Sequence, residues 1–251
     1  MTDELIVLHD GPVTRLTLNR PEKANALSPG LTEALIAAFE AAEQDGTRLM
    51  VLSGAGKGFC SGFDLSGFDD LRDGDLVLRI IRIETMLQII YHVPFPTLAL
   101  GHGRIMGAGA DLFAACSQRI ATPDTRFRMP GLAFGIVLGT RRLAARIGPD
   151  ATREIQNATR IFGTAEALAL GFANGQDEQS RWPELIAGQA KAAQTLPPAS
   201  TAALFRATLE DSRAEDMADL ARSAAAPGLK VRIAAFRQKT LKAAGRICAG
   251  A

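Results

Sequence analysis

The sequence predicts an α/β fold in which strands occupy the first half of the chain and helices the second. Two short apolar runs, residues 49–52 and 97–100, each lead into a glycine-rich turn, and a helical pattern follows each turn. Runs of this kind are typical of buried strands in a parallel sheet. From about residue 141 onward, alanine-rich segments interrupted by Gly and Pro predict successive helices. Strands followed by helices favour an α/β core with a helical C-terminal region.

The first predicted elements are a hairpin and a helix. Residues 5–8 and 13–18 are apolar or alternating on either side of a Gly-Pro turn, which predicts two antiparallel strands. Ser28 is a favourable N-cap residue and Pro29 fits the first helical position, so a helix is predicted to begin at this point.

The middle of the chain repeats the order of strand, turn and helix. An insert rich in Asp and Gly covers residues 68–75 and precedes a helical pattern that runs to Pro94. After the second glycine turn, the pattern predicts a helix through Phe113, a short strand at residues 119–121 and a loop that contains Pro130.

Composition indicates a cytoplasmic protein that forms one large domain. The chain has 251 residues, of which 47% are hydrophobic, and a formal net charge of +1. It has no dense run of Lys and Arg, so we expect no nucleic-acid or membrane partner. The N-terminus is acidic rather than basic and no apolar stretch is long enough for a membrane span. Three scattered cysteines, Cys60, Cys116 and Cys248, suit structural reduced thiols and offer no zinc spacing, so no metal is expected.

The two glycine turns, residues 56–65 and 107–112, are the strongest functional signal. Glycine lets the backbone approach a ligand closely, and backbone N–H groups at the end of a strand can point at it. Two such donors that converge on one oxygen form an oxyanion hole, which stabilises a thioester carbonyl as it gains negative charge. The turns therefore favour enolate chemistry.

With these turns, three further segments carry a family resemblance: residues 16–27 (LTLNRPEKANAL), 50–56 (MVLSGAG) and 164–171 (TAEALALG). In this order they resemble the crotonase superfamily, that is, the enoyl-CoA hydratase/isomerase family. The resemblance implies a spiral of ββα units that forms two nearly perpendicular sheets. It also implies a core domain over residues 1–195 and a C-terminal helical trimerisation region over residues 196–251.

The resemblance also implies the ligand and the assembly. Members bind acyl-CoA thioesters and assemble as a homotrimer or a dimer of trimers. The CoA moiety enters with the substrate, so no separate cofactor is implied. By position, the oxyanion donors would be the backbone N–H groups of Phe63 and Ala108. The substrate and CoA contacts would come from Lys23, Ala24, Ala26, Phe63, Asp64, Leu65, Ser66, Ala108, Phe236 and Lys239.

The acids depart from the family pattern. Asp111 stands where hydratases of the family carry their first catalytic Glu, and Gly131 stands where the second is expected. A glycine cannot transfer a proton, so one-base double-bond isomerisation fits at least as well as hydration. A C–C bond hydrolase or decarboxylase of the same superfamily, and a binding protein without turnover, remain alternatives.

Two other side chains could replace the missing acid. Glu84 lies on the helix after the insert and could act if it faced inward, although a Glu at such a position is usually solvated. His102 follows the strand before the second turn, and an imidazole is a side-chain type that can transfer protons near neutral pH, although a packing role is favoured. The pair Arg141-Arg142 is interpreted as a surface or subunit-contact feature.

Overall fold

The computed structural model describes residues 4–248, and for residues 241–248 only the helical backbone. The strands are β1 (Leu5–Asp10), β2 (Val13–Leu18), β3 (Leu49–Gly54), β4 (Thr97–Gly101), β5 (Arg104–Met106), β6 (Gln118–Ala121), β7 (Arg126–Arg128), β8 (Phe162–Gly163) and β9 (Gly175–Gln176). The helices are α1 (Pro29–Ala42), α2 (Asp73–His92), α3 (Ala108–Ala115), α4 (Thr140–Ile147), α5 (Pro149–Ala158), α6 (Thr164–Leu170), α7 (Trp182–Ala193), α8 (Pro198–Thr208), α9 (Arg213–Ala224) and α10 (Leu229–Cys248).

Two sheets organise the strands. The larger sheet has the order β1-β2-β3-β4-β6-β9, and the smaller has the order β5-β7-β8. The pair β1–β2 is the predicted antiparallel hairpin, while β2, β3, β4, β6 and β9 pair in parallel. The crotonase-like α/β fold predicted from the sequence is confirmed.

The large sheet is covered on both faces, which explains why its central strands are apolar at successive positions. Met50 and Leu52 of β3 face the main core, which also contains the buried sides of α1, α2 and α3. Leu49 and Val51 of the same strand pack on the other face, against Ile186 of α7. The predicted strand at residues 49–52 is therefore a doubly buried one.

The start of α1 is the one predicted. The Ser28 hydroxyl accepts a hydrogen bond from the Leu31 N–H at 3.0 Å, and Pro29 is the first helical residue. An N-cap bond of this kind satisfies a backbone donor that the helix itself cannot satisfy.

The C-terminal helices α9 and α10 fold back onto the core. Leu220 of α9 and Ile233 of α10 pack in one apolar cluster with Leu76 and Ile80 of α2. The division of the chain at residue 195 and the assembly into a trimer or a dimer of trimers stay predictions. None of the described helices has the length and apolar character that a membrane crossing would require.

The two glycine turns lie side by side and are joined by backbone contacts. The Met106 N–H donates to the Cys60 carbonyl oxygen at 3.0 Å, and Cys60 forms a parallel bridge with Ile105. A Cβ atom on Gly109 would overlap this same Cys60 carbonyl group. Glycine at this position is therefore what lets α3 begin directly against the first turn.

We expect Gly109→Ala to destabilise the fold by about 1 to 3 kcal/mol, because the added methyl group must displace the backbone of Cys60. Gly188 is the matched control, since it lies in a helix and a Cβ atom there would meet nothing within 4 Å. Gly188→Ala should stabilise the protein by about 0.5 to 1 kcal/mol. Urea unfolding of both variants measures the change in the free energy of unfolding. Equal changes in the same direction would show that the two glycine turns are not tightly packed at Gly109.

Candidate active site

A cavity of about 580 Å³ opens where the two glycine turns meet α2, α10 and the loop after β7. Its wall is mostly apolar. The larger apolar side chains along it are those of Phe63, Leu65, Ile80, Ile83, Met106, Met129, Leu132, Phe134, Ile136, Leu138, Ile233 and Phe236. A volume of this size with an apolar wall is typical of a small-molecule site.

The first turn brings the Phe63 backbone N–H to the cavity. Phe63 forms a parallel bridge with Leu27, in which the Leu27 N–H donates to the Gly62 carbonyl at 2.7 Å and the Asp64 N–H donates to the Leu27 carbonyl at 3.3 Å. In a parallel bridge, the intervening N–H points away from the partner strand. The Phe63 N–H therefore points away from Leu27, and Phe63 lines the cavity.

The second turn brings the Ala108 backbone N–H to the same place. Ala108 is the first residue of α3, where an N–H has no acceptor within the helix. A Cβ atom on Gly62 would lie 3.1 Å from the Ala108 nitrogen, so the peptide before Phe63 lies beside it. Within the described part of the chain, neither the Phe63 N–H nor the Ala108 N–H donates to a backbone carbonyl. Both residues line the cavity.

Asp111 lies one helical turn further along α3 and also lines the cavity. Its side chain is buried, and its Oδ1 atom has no hydrogen-bond partner within residues 4–240. Burial raises the pKa of this carboxyl to about 8, with the Arg142 charge opposing the increase and the Glu84 charge adding to it. Asp111 can therefore exchange a proton near neutral pH.

The cavity contains a single carboxylic acid among the described residues that line it, and this is Asp111. Gly131, at the position of the expected second acid, also lines the cavity. The residue predicted to replace the second acid thus lies at the cavity, where the lining residues within 4–240 include no acid other than Asp111.

Neither of the two replacement acids considered from the sequence lines the cavity. Glu84 is buried rather than solvated, and it pairs with both terminal nitrogens of Arg142 at 2.8 and 2.5 Å. The His102 Nε2 atom lies 3.0 Å from the Gly56 carbonyl oxygen, and its ring packs edge-on against Trp182.

The surface interpretation of Arg142 is wrong. Its side chain is 3% exposed, and it is paired with the carboxylates of Glu84 on α2 and Asp216 on α9. Arg141 does reach the surface, where it pairs with Asp216 and Asp219. Adjacent positions of a helix point to different faces. The sequence pattern does not show which of the two arginines faces the interior.

The structure brings half of the predicted substrate contacts to the cavity: Ala24, Phe63, Leu65, Ala108 and Phe236. The side chains of Lys23, Ser66 and Lys239 are exposed beside it, and none of the three lines it. Ala26 and Asp64 are buried away from it. Asp64 pairs with Arg20 at 2.9 Å, and Arg20 also donates to the Ala26 carbonyl at 2.6 Å, so this group joins the early loop to the first turn.

Among the polar residues at the cavity that were not predicted from the sequence, five carry a charge or an amide. Four are cationic and come from four separate elements, namely Lys57, Arg104, Arg128 and Arg237. The fifth is Gln156 of α5, a buried amide. Arg104, Arg128 and Gln156 are isolated in the sequence, so no run or spacing indicated them, and Lys57 lies within the first glycine turn, where only the backbone suggested a role. Four cations against one acid favour an anionic ligand.

Two adjoining glycine turns lie at one apolar cavity and are carried on a largely parallel sheet. These features define a crotonase-fold protein. The chain belongs to the enoyl-CoA hydratase/isomerase family, whose family model matches residues 9–224. It is a hydratase/isomerase-like member of that family.

Several relatives support this assignment. A crystal structure from Bordetella parapertussis, whose protein is assigned to the enoyl-CoA hydratase/isomerase class, is 46% identical, covers 94% of this chain and 98% of its own, and superposes with a TM-score of 0.92. A Mycobacterium tuberculosis protein named as a probable enoyl-CoA hydratase, echA6, is 33% identical over 64% of this chain and 66% of its own length. The mitochondrial Delta(3,5)-Delta(2,4)-dienoyl-CoA isomerase of Rattus norvegicus is 31% identical over 70% of this chain and 64% of its own length. The match thus spans slightly less than two thirds of these last two proteins.

Burial of Asp111 has a consequence for stability. The pKa of Asp111 is higher in the folded state than in the unfolded state. The contribution of Asp111 to the free energy of unfolding is therefore fully present below the unfolded-state pKa of 3.8 and is lost as the pH rises through about 8. We expect the melting temperature of Asp111→Asn, relative to the wild type, to increase steadily between about pH 5 and about pH 8 and then to level off. The increase should correspond to at most about 1.4 kcal/mol per pH unit.

Thermal unfolding across this pH range checks the expectation. The exposed Asp150 provides the control, because Asp150→Asn removes the same charge from the surface. Its melting temperature relative to the wild type should stay constant. A constant difference for Asp111→Asn as well would mean that Asp111 is ionised in the folded protein.

Proposed function

We propose that this protein acts on acyl-CoA thioesters, stabilises an enolate between the backbone N–H groups of Phe63 and Ala108, and transfers protons with Asp111. The reaction that fits best is double-bond isomerisation. One observation carries the proposal: two backbone amides with no backbone acceptor and a single buried carboxylic acid meet in one cavity.

The two amides suit the electrostatic part of the reaction. Removal of a proton next to a thioester places negative charge on the carbonyl oxygen, and two N–H donors at that oxygen stabilise the charge as it develops. The surrounding wall is apolar, and a low local dielectric strengthens such hydrogen bonds. No metal is needed for this step.

Asp111 suits the proton transfers. As a carboxylate it would remove a proton from the α-carbon of a 3-enoyl thioester, which gives a dienolate, and as a carboxylic acid it would return that proton to the γ-carbon. One group is sufficient because the same proton leaves and returns. A pKa near the working pH is favourable for a group that must act as both base and acid.

The residue at position 131 argues against ordinary hydration. Addition of water requires a group that activates the water in addition to one that transfers a proton to the α-carbon. In this cavity Gly131 offers no such group, and Asp111 is the one acid among the described lining residues.

The cations suit the CoA part of the substrate. Lys57, Arg104, Arg128 and Arg237 line the cavity, and phosphate groups are favourable partners for them. Arg128 also lies over the ring of Phe236, with its guanidinium carbon 5.8 Å from the ring centre. The predicted contact at Phe236 is thus supported within a single chain, because α10 folds over its own cavity.

The first test compares two reactions of the purified protein. We expect isomerisation of 3-enoyl-CoA to be faster than hydration of crotonyl-CoA, with a kcat/KM that rises with pH and reaches a plateau above about pH 8. Asp111→Asn should lower the isomerisation kcat by about 10²- to 10⁴-fold. Glu33→Gln, which removes a surface charge on α1, is the control and should leave kcat unchanged. Binding of acyl-CoA without any turnover would refute the catalytic proposal.

The second test restores the missing acid. A Cβ atom on Gly131 would meet one atom, the Ile136 carbonyl oxygen at 3.0 Å, so a side chain requires only a small adjustment. We expect Gly131→Glu to raise the ratio of hydration to isomerisation by about tenfold or more, because it adds a second proton-transfer group to the cavity. Gly131→Gln is the matched control of similar size and should not raise the ratio. An equal effect of both variants would mean that the missing acid does not determine the reaction.

A further inference from the structure

A buried cluster of charged side chains lies behind Asp111, outside the cavity wall. Glu84 of α2, Arg142 of α4 and Asp216 of α9 form this charged cluster, with side chains that are 1%, 3% and 8% exposed. Three separate helices thus place one cation and two acids in the interior. A buried charge is costly unless it is paired, so the arrangement of the pairs is informative.

Arg142 directs its terminal nitrogens to Glu84 and not to Asp111. Its two terminal nitrogens bond both oxygens of Glu84, at 2.8 and 2.5 Å, and one of them lies 3.4 Å from Asp216. The remaining nitrogen, Nε, is buried and has no hydrogen-bond partner within residues 4–240, and the same is true of Asp111 Oδ1. Arg142 and Asp111 are close enough to interact electrostatically, yet no ion pair within 4.0 Å joins them.

We propose that Glu84 is a positioning residue for Asp111: by occupying the guanidinium of Arg142, it prevents that cation from holding Asp111 as a carboxylate. Glu84 thereby determines the charge that Asp111 carries at neutral pH without touching the substrate. The inference concerns the charge of Asp111, and it bears on catalysis only through the proposed function.

The elements packed against α3 carry other charged groups, and these do not take the role of the charged cluster. Helix α3 carries no further titratable side chain, and it packs against α2, α4 and β5. On α4, Arg146 donates to the Ala114 and Cys116 carbonyl oxygens at the far end of α3. On β5, Arg104 is exposed. Besides burial, the charges that act on the pKa of Asp111 are those of Arg142, which lowers it, and Glu84, which raises it.

The expected direction of each change in the Asp111 pKa follows from the signs of these neighbouring charges. Glu84→Gln removes the negative charge and leaves the Arg142 cation less compensated, so the carboxylate form of Asp111 becomes more favourable. The Asp111 pKa should then fall by about one unit or more, the usual effect of a nearby opposite charge on a carboxyl. Asp216 acts on Asp111 only by compensating the charge of Arg142, through a contact of 3.4 Å, so Asp216→Asn should lower the Asp111 pKa by a smaller amount.

The experiment measures Asp111 directly and does not depend on turnover. The carboxyl carbon of Asp111 is followed by ¹³C NMR during a pH titration, and its resonance is assigned by its loss in Asp111→Asn. We expect a lower titration midpoint in Glu84→Gln and, to a smaller extent, in Asp216→Asn. Glu33→Gln is the matched control, because it also breaks a two-bond pair with an arginine of α2, Arg82, but at the surface. Its midpoint should equal that of the wild type.

A midpoint that stays constant or rises in folded Glu84→Gln overturns the inference. If Glu84→Gln does not fold, a constant or raised midpoint in Asp216→Asn overturns it instead. The pH dependence of kcat/KM separates this inference from the proposed function. A lower NMR midpoint with an unchanged kinetic profile would support the role of Glu84 and refute that of Asp111 in catalysis. A constant NMR midpoint, together with loss of isomerisation in Asp111→Asn, would refute the role of Glu84 and support that of Asp111 in catalysis.

Discussion

The close backbone contact between the two glycine turns is the constraint on which the site depends. The Cys60 carbonyl accepts from the Met106 N–H and lies directly against Gly109, so the first turn and the start of α3 occupy one small volume. This contact places the peptide before Phe63 beside the Ala108 nitrogen, and it leaves both N–H groups at the cavity. A side chain at Gly109 would move the turns apart, and with them the two amides of the proposed oxyanion hole.

Burial has two different results for the charged groups near this contact. Asp111 is buried without a direct partner, so its pKa rises to about 8, whereas Glu84 and Arg142 are buried as a hydrogen-bonded pair. The pair gives the interior a hydrogen-bonded arrangement of charge beside Asp111. Asp216 connects this arrangement to α9, so the C-terminal region contributes to the electrostatics of the site as well as to its wall.

The sequence predicted the local features well, because they depend on neighbouring residues. The hairpin, the start of α1 at Ser28 and the strands before each turn all follow from spacing and capping preferences, and the structure confirms them. The absence of an acid at position 131 was also evident from the sequence alone. The same reasoning failed for Glu84 and Arg142, since a charged residue on a helix is usually exposed and nothing in the pattern revealed their pairing.

The amino-acid sequence alone indicated the family, the first hairpin, the strands that lead into the two glycine turns and a Gly131 where an acid is expected, because each depends on short runs of neighbouring residues, whereas the short strands β5, β7, β8 and β9 were not predicted. The tertiary structure decided which side chains share the cavity. Lys57, Arg104, Arg128 and Arg237 come from separate elements of the chain and line one cavity, and Arg237 reaches it because α10 folds back onto the core. Likewise, the pKa of Asp111 depends on burial and on charges from two other helices, and such long-range contacts are not encoded in any local pattern.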